Sequence, residues 1–247
     1  MNEIKPQGLA IEAKGLRKAY GRTQVLRGLD LDVPWGQVLT ILGPNGSGKT
    51  TLIKTLAALI RPDEGTVQVA GADIRRRGNR ARRIIGLVTH DTLLYDELTG
   101  YENLKFYARM FRLDSAERRI ESVAERMGMT ARLHQRVGTL SHGMKKRFSI
   151  ARALLHDPLV LIMDEPESGL DQDALVLLEA VIRDKTDPYR TVIMTTHNLD
   201  RGIALSDRMA ILSRGVIAYE APADPTASEG IKDKYFEFTG LTAGVGQ

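Results

Sequence analysis

The sequence predicts an α/β fold in which a lobe built on β-sheet is interrupted by a helical lobe. The first third alternates short apolar strands with glycine turns, as in QVLRGLDLDV and QVLTILG. From Thr99 the pattern changes to amphipathic helices, among them ENLKFYARMF and SAERRIESVAERMGM. Unbroken apolar runs return in LVLIMDE and RTVIMTT. Such runs are typical of strands that are buried on both faces of a parallel sheet.

The elements of the first half follow from local patterns. Apolar residues alternate at Leu9, Ile11 and Ala13, which predicts a first strand. KTTLIKTLAALI predicts a helix ended by Arg61-Pro62, GTVQVAGAD a strand with a turn, and RRIIGLVTH a buried strand. Thr99 and Glu102 have the spacing of a capping box, which predicts that a helix begins there.

The second half opens with LSHGMKKRFSIARALL, for which we predict a helix capped by Ser141. Its apolar face comprises Met144, Phe148, Ala151 and Leu155, and its basic residues are expected on other faces: Lys145, Lys146, Arg147 and Arg152. Further on, DQDALVLLEAVIRD and NLDRGIALS predict helices, and RMAILSRGVIAYE predicts a hairpin around Arg214-Gly215.

We expect one domain over 8–222 with the helical lobe at about 91–157. A tail over 223–247 is expected to be partly ordered at best, with KYFEF able to dock.

Composition excludes several classes of protein. The 247 residues are 43% hydrophobic and include no cysteine, so neither a disulfide framework nor a thiolate metal site is possible. The first residues, MNEIKPQGLA, lack the apolar centre of a signal peptide, and no apolar run is long enough to cross a bilayer. We therefore expect a cytoplasmic protein.

The net charge of +4 is concentrated in one arginine run, DIRRRGNRARRIIG. We interpret this run as a solvated loop before a strand. Attraction to an anionic membrane surface or to nucleic acid is the alternative. No aromatic residues for base stacking are interleaved with the arginines, so no nucleic-acid partner is expected.

The segment GPNGSGKT, from Gly43 to Thr50, matches the phosphate-loop pattern G-x-x-x-x-G-K-[ST] between a strand and a helix. Glycines let successive backbone N–H groups turn toward phosphates, and the helix N-terminus adds partial positive charge. The lysine is expected to reach the β- and γ-phosphates, and the Thr50 hydroxyl to bind Mg²⁺. The predicted nucleotide-binding residues here are Gly43, Pro44, Asn45, Gly46, Ser47, Gly48, Lys49, Thr50 and Thr51.

Two carboxylates and a histidine follow buried strands farther along the chain. Asp164 is expected to reach the Mg²⁺ shell, and Glu165 to act as general base for the attacking water. His197 comes directly after TVIMTT, at the carboxyl end of another strand, where ligands of open α/β sheets gather. We predict that it contacts the γ-phosphate or orients the water.

In this order, GPNGSGKT, LSHGM, LVLIMDEP, SGLD and His197 resemble the nucleotide-binding subunits of ATP-binding cassette (ABC) transporters, over nearly the whole chain. The resemblance implies a P-loop NTPase core of ABC-ATPase type, with an antiparallel β subdomain and an inserted α-helical subdomain. It also implies ATP hydrolysis with ATP and Mg²⁺ as cofactors. A homodimer, or a pair with a similar ATPase subunit, and an integral membrane permease on a separate chain are the implied partners. The location would then be peripheral, on the inner face of the cell membrane.

Within this family two subunits pair head to tail, and the helix start that corresponds to Ser141 and Gly143 binds the γ-phosphate held by the partner's loop. The resemblance also gives Tyr20 an adenine-stacking role and places Asp171 at the dimer seam. As an ordinary alternative, Tyr20 is an aromatic residue at a strand end. Asp171 also suits the start of a helix, and both roles are compatible.

The sequence departs from the family pattern at three positions. His142 and Met144 replace a glycine and a glutamine of the signature, and Met144 cannot donate a hydrogen bond as glutamine would. His90 stands where most members have a glutamine that touches Mg²⁺, and it is a candidate metal ligand although histidine prefers softer metals.

THDTLLYDELTGYENLKFYARMF is similar to the branch that includes the haem-exporter ATPase of cytochrome c maturation. Related drug, lipid and polysaccharide exporters have nearly the same ELT-x-x-ENL segment. The alternative function is a soluble ABC ATPase that acts in DNA maintenance or cofactor assembly. Members that act on DNA carry a long coiled coil between phosphate loop and signature, and this chain has a compact helical lobe there.

Overall fold

The computed structural model describes residues 7–184, 186–224 and 228–240. These ranges contain ten strands: β1 Ile11–Tyr20, β2 Thr23–Val33, β3 Val38–Leu42, β4 Glu64–Val69, β5 Ala72–Asp73, β6 Ile85–Val88, β7 Val160–Asp164, β8 Thr191–Thr195, β9 Arg208–Ser213 and β10 Val216–Pro222. They also contain eight α-helices: α1 Lys49–Leu56, α2 Ile74–Arg82, α3 Gly100–Phe111, α4 Ala116–Arg126, α5 His142–Leu154, α6 Gln172–Ile182, α7 Leu199–Leu205 and α8 Ser228–Thr239.

The strands form two sheets. A four-stranded antiparallel sheet has the order β2-β1-β4-β5, and a six-stranded sheet has the order β10-β9-β3-β8-β7-β6. Strands β9, β3, β8, β7 and β6 are parallel, and β10 closes one edge as an antiparallel hairpin with β9. All five residues of β3, β7 and β8 are buried, and for β7 and β8 this confirms the prediction of strands covered on both faces. Their carboxyl ends therefore meet at one edge of the sheet.

The helical lobe lies between β6 and β7 in the chain and consists of α3, α4 and α5. The capping box is confirmed, because Thr99 Oγ1 accepts from the backbone of Glu102 and the Glu102 carboxylate accepts from the backbone of Thr99. Phe148 of α5 is fully buried and packs against Gly100 so closely that an added Cβ would lie 2.4 Å from the ring. One apolar core joins this lobe to β6, β7 and β8. The fold is thus α/β with an antiparallel subdomain and an inserted helical subdomain.

Two local predictions were wrong. The arginine run is not a loop, because residues Ile74–Arg82 form helix α2, which Asp73 caps by accepting from the backbone of Arg75 at 2.7 Å. Arginine favours helices, and burial of Ile74 and Ala81 anchors this one. Helix α1 ends at Leu56 rather than near Arg61, and Ala58 has a positive φ of 56° just beyond it.

Two of the four basic residues of α5 are buried, which the helical pattern did not indicate. Lys146 is 1% exposed and Arg152 is 8% exposed. Both cations donate hydrogen bonds to backbone carbonyls outside α5. Lys146 Nζ donates to the carbonyl of Thr89, and Arg152 Nη2 donates to the carbonyl of Leu87 at 2.6 Å. A helical pattern does not reveal carbonyls that come from distant parts of the chain.

The segment predicted as a tail contains helix α8, and KYFEF docks. Ile231 and Tyr235 are buried against Ile203 and the strand β9, and Ser213 Oγ donates to the carbonyl of Phe238. Residues 225–227 and 241–247 of the predicted tail lie outside the described residues. Within the part of the chain that the structure describes, none of the helices combines the length and apolar character needed to cross a membrane.

Candidate active site

The predicted phosphate loop joins the carboxyl end of β3 to helix α1. Gly48 begins the helix with φ 108°, and a Cβ there would lie 3.2 Å from the side chain and the carbonyl of Val25. At Gly43 a Cβ would lie 2.4 Å from the carbonyl of Leu212. Because side chains at these two positions would be strained or blocked, the loop can take this path only with glycine.

Lys49 lies across the mouth of this loop. Its Nζ donates to the carbonyls of Gly43, at 2.7 Å, and Pro44, at 3.2 Å. Burial lowers the pKa of the Lys49 amine, while the carboxylates of Glu165 and Asp164 oppose that shift. The amine is therefore beside both the loop and the predicted catalytic acids, where a phosphate chain would meet it.

Thr195, the last residue of β8, holds both acids at the end of β7. Its Oγ1 donates to Asp164 Oδ1 at 2.6 Å, and the backbone N–H of Glu165 is directed at Thr195 Oγ1 and carbonyl at 3.1 and 3.2 Å. Asp164 is 4% exposed, whereas Glu165 is partly exposed and has φ 46°, in the left-handed region. Side chains other than glycine rarely adopt this backbone, and such residues cluster at functional sites.

His197 contacts Glu165, the predicted general base. Its Nδ1 is 2.9 Å from Glu165 Oε1, and the imidazole is more than half exposed. The sequence placed His197 at the correct edge of the sheet but did not indicate this partner. An exposed imidazole that holds a carboxylate can orient that carboxylate toward a water molecule.

The signature segment packs against the loop that follows β7 in the same chain. Ser141 caps α5 by accepting from the backbone of Met144 at 3.3 Å. A Cβ at Gly143 would lie 2.8 Å from the carbonyl of Gly169, and a Cβ at Gly169 would lie 2.5 Å from the His142 ring. The exposed Ser141 and the partly exposed Gly143 thus start a helix whose position is fixed by close backbone packing.

Two further predicted residues lie near these segments. Tyr20 ends β1 and is 52% exposed, and Lys18 Nζ lies 5.6 Å from its ring centroid. The neighbouring strand β2 reaches the phosphate loop through Val25, which abuts Gly48. Asp171 caps α6 by accepting from the backbone of Ala174 at 2.9 Å, which is its predicted helix-start role.

The candidate metal ligands are Thr50, Asp164 and His90. Asp164 Oδ2 makes no hydrogen bond within the described ranges, and a hydroxyl with one carboxylate suits Mg²⁺, which keeps several water or phosphate ligands. His90 is exposed, and its ring contact is with His142, at 6.5 Å between centroids. The two histidines that depart from the family pattern are therefore neighbours. The described residues include no cluster of three or more histidine, aspartate or glutamate side chains able to hold a metal ion.

Lys146 lies beside the predicted general base, a position that the sequence did not indicate. Its buried Nζ donates to the carbonyl of Thr89, at 3.1 Å, and to that of Glu165, at 3.3 Å. Burial lowers the pKa of this amine, and the carboxylates of Glu167, Asp164 and Glu165 oppose the shift. Lys146 therefore joins helix α5 to the ends of β6 and β7, next to the predicted general base.

The chain matches the family described as "ABC transporter" over residues 26–168. It is 38% identical over 223 residues to Nod factor export ATP-binding protein I of Paraburkholderia xenovorans, covering 89% of this chain and 73% of that protein. It is 35% identical over 207 residues to the linearmycin resistance ATP-binding protein LnrL of Bacillus subtilis, covering 83% and 67%.

A solved structure described as the ATP-binding subunit of an ABC transporter superposes with a TM-score of 0.85 at 27% identity, covering 93% of this chain and 99% of that one. The chain belongs to the ATP-binding subunits of the ABC transporter family and is an ATPase.

Proposed function

We propose that this chain hydrolyses Mg²⁺-ATP to drive a separate membrane permease, with Glu165 as general base. The observation that supports this best is the contact of Glu165 with His197 at the sheet edge where Lys49 lies beside the phosphate loop. A carboxylate held by two neighbouring strands and adjacent to a phosphate-binding amine is suited to activating water.

In this proposal the ATP phosphates lie against the backbone of the loop and the amine of Lys49. The Thr50 hydroxyl and the Asp164 carboxylate would hold Mg²⁺, which neutralises phosphate charge when bound. Glu165 accepts a proton from the attacking water, and His197 keeps its carboxylate oriented. Thr195 fixes the backbone and the buried carboxylate on which this arrangement depends.

The test compares two substitutions in the purified protein. Lys49→Ala removes the cation at the loop, so nucleotide binding is expected to weaken. Glu165→Gln retains the shape but loses the base, so ATP is expected to bind normally and turn over at least about a hundredfold more slowly. Glu117→Gln, on the exposed face of α4, is the matched control. Hydrolysis by Glu165→Gln at the parent rate would contradict the assignment of the general base.

The proposed active form is a head-to-tail homodimer, or a pair with a similar ATPase subunit. Ser141 is exposed at the start of α5 and Asp171 is exposed at the start of α6. Helix N-termini attract anions, so these starts suit a γ-phosphate presented by a partner. Close packing of Gly143 on Gly169 would keep the two helix starts together.

Export is the direction that we propose, because relatives are named for Nod factor export and linearmycin resistance. The haem-export branch is a finer proposal, which depends on the neighbouring residues His90 and His142. The same names favour transport over a soluble role in DNA maintenance or cofactor assembly. Copurification with a tagged chain, followed by identification of the membrane protein, distinguishes these possibilities.

The permease contact is proposed on the segment between β6 and α3 and on α3 itself. Several large apolar side chains are exposed there: Leu93, Tyr95, Phe106 and Met110. The rings of Tyr95 and Phe106 meet edge to face at 5.4 Å between centroids. Leu94 differs, because it packs on the main core. An exposed aromatic cluster beside the Thr89 segment, which Lys146 binds, is able to link a partner to the catalytic edge.

A further inference from the structure

Helix α2 borders a cavity of about 220 Å³ that none of the predicted site residues lines. We call it the arginine cavity, because five of its lining residues are Arg61, Arg75, Arg76, Arg77 and Arg82. The other described lining residues are Asn79, a glycine and apolar residues, so none of the described lining residues carries a carboxylate. The described wall of the cavity therefore carries positive charge that no carboxylate of that wall neutralises.

Two of the arginines build the wall. Arg75 Nη2 donates to the carbonyls of Pro62, at 2.9 Å, and Asp63, at 3.2 Å. Arg82 Nη1 donates to the carbonyl of Ala58 at 3.0 Å, just beyond the end of α1. Their positions are explained by backbone contacts, and they hold α2 against the segment that follows α1.

No bond to a backbone carbonyl explains the positions of the other three arginine side chains. Arg61, Arg76 and Arg77 are exposed, and none of their guanidinium groups forms a hydrogen bond or ion pair with the described residues. The helix is kinked at Arg77, which has φ −129° and ψ 32°. Adjacent guanidinium groups repel one another, and a phosphate that accepts from them in pairs relieves this repulsion.

The size and lining of the cavity restrict the ligand. A volume of 220 Å³ holds a small anion with some water, because one water needs roughly 10–15 Å³ on this measure. It is smaller than the roughly 300–1,000 Å³ of pockets that enclose drug-sized ligands. Its described lining includes no aromatic side chain for base stacking. A phosphate group fits these limits better than a whole nucleotide.

We propose that the arginine cavity is a second anion site, which binds a terminal phosphate group through Arg61, Arg76 and Arg77. It lies at the opposite end of α1 from Lys49, about 12 Å along the helix axis. The phosphate is either a free anion or the monoester headgroup of a lipid. This inference does not depend on the roles proposed for Glu165 and the signature.

The test compares the pair Arg76→Gln and Arg77→Gln with the pair Arg80→Gln and Arg83→Gln. Both pairs remove the same charge from exposed positions in or next to α2, but Arg80 and Arg83 lie outside the cavity. Binding of inorganic pyrophosphate is measured by calorimetry with the phosphate loop saturated by ADP. Binding to phosphatidylcholine vesicles containing phosphatidic acid is measured by flotation, with phosphatidylglycerol vesicles as the charge control.

We expect the cavity pair to weaken binding at least about tenfold and the control pair less than about threefold, because only the former loses charge-assisted hydrogen bonds. Binding of pyrophosphate by the parent protein identifies a free phosphate, and binding to phosphatidic acid alone identifies a lipid headgroup. Equal losses in the two pairs, equal binding to phosphatidylglycerol, or no binding of either probe by the parent would overturn the proposal.

Discussion

His197 Nδ1 lies 2.9 Å from Glu165 Oε1, so side chains beyond the ends of β8 and β7 are in direct contact. Thr195 joins the same two strands one step deeper, through the backbone of Glu165 and the carboxylate of Asp164. The Thr195 hydroxyl thus fixes the backbone of the proposed base, Glu165, and the imidazole of His197 contacts its carboxylate on the solvent side. Its orientation depends on β8 as much as on its own strand.

The first prediction concerns His197. In His197→Ala the Glu165 carboxylate loses its side-chain partner, so kcat for ATP is expected to fall by about a hundredfold. Affinity for ATP should change little, because Lys49 and the loop are untouched. His134→Ala, at an exposed position in the helical lobe, is the control. A parent-like kcat in His197→Ala would rule out the orienting role.

The second prediction concerns Lys146. Lys146→Met retains the stem but removes the donor to the carbonyls of Thr89 and Glu165, of which the bond to Thr89 is buried, so the free energy of unfolding should fall by about 1–3 kcal/mol. ATP turnover should fall as well, because the backbone of the proposed base is released. The measurements are urea unfolding and steady-state hydrolysis.

The neighbouring residue supplies a matched control for that substitution. Lys145 pairs with the exposed Asp96 at 2.9 Å, so Lys145→Met removes the same charge from a surface ion pair. Its effect should be below about 1 kcal/mol. Equal losses of unfolding free energy in Lys146→Met and Lys145→Met would show that the buried contacts of Lys146 contribute no more than a surface ion pair.

Local patterns were enough to predict most of the fold. The phosphate loop, the three buried strands and the Thr99 cap are each specified by residues close together in the chain. The site residues Asp164, Glu165 and His197 could also be placed, because strand ends in a parallel sheet share one edge.

Relationships between distant segments could not be predicted. The burial of Lys146 depends on carbonyls from two other elements, and a charged residue on a helix ordinarily faces solvent. The proximity of His90 and His142 likewise depends on how the helical lobe packs. The arginine run was assigned to a loop because its like charges conceal the anchoring residues Ile74 and Ala81.

The third prediction concerns assembly. The protein is expected to be largely monomeric without nucleotide, and Glu165→Gln should dimerise with ATP and Mg²⁺ because the trapped γ-phosphate bridges two subunits. Adding Ser141→Arg should abolish this dimer, since a bulky side chain would fill the space for the partner's phosphate. Light scattering reports the mass directly. A dimer that persists without ATP, or with Ser141→Arg, would contradict binding of the signature to the partner's nucleotide.

The fourth prediction concerns the exposed aromatic cluster. Tyr95→Ala should reduce the amount of permease that copurifies with a tagged chain and leave basal ATP hydrolysis near normal, because Tyr95 is 48% exposed. Leu94→Ala provides the contrast, since that side chain packs on the core and its loss should cost about 2 kcal/mol of unfolding free energy. Equal losses of stability in both variants would assign Tyr95 a folding role.

The last prediction concerns acid stability and begins with the surroundings of His156. This residue ends the turn after α5, where its ring stacks on Phe111 with centroids 3.9 Å apart. Its Nε2 lies 3.0 Å from the carbonyl of Ile85. Burial lowers the pKa of the imidazole from its ordinary 6.5 to about 4, which the bond to Ile85 only partly opposes.

Between about pH 4 and pH 6.5, the unfolded chain binds a proton at His156 that the folded chain does not bind. Stability from this residue is therefore complete above about pH 6.5 and declines as the pH falls toward 4, by up to about 1.4 kcal/mol per pH unit. Urea unfolding at pH 7 and pH 5 should show His156→Gln losing about 2 kcal/mol less than the parent over this interval, because the amide does not titrate. His134→Gln, at an exposed position, should follow the parent. If the parent and His156→Gln lost the same stability between pH 7 and pH 5, the buried imidazole would not be the group that titrates, and the acid sensitivity would have to arise from other residues.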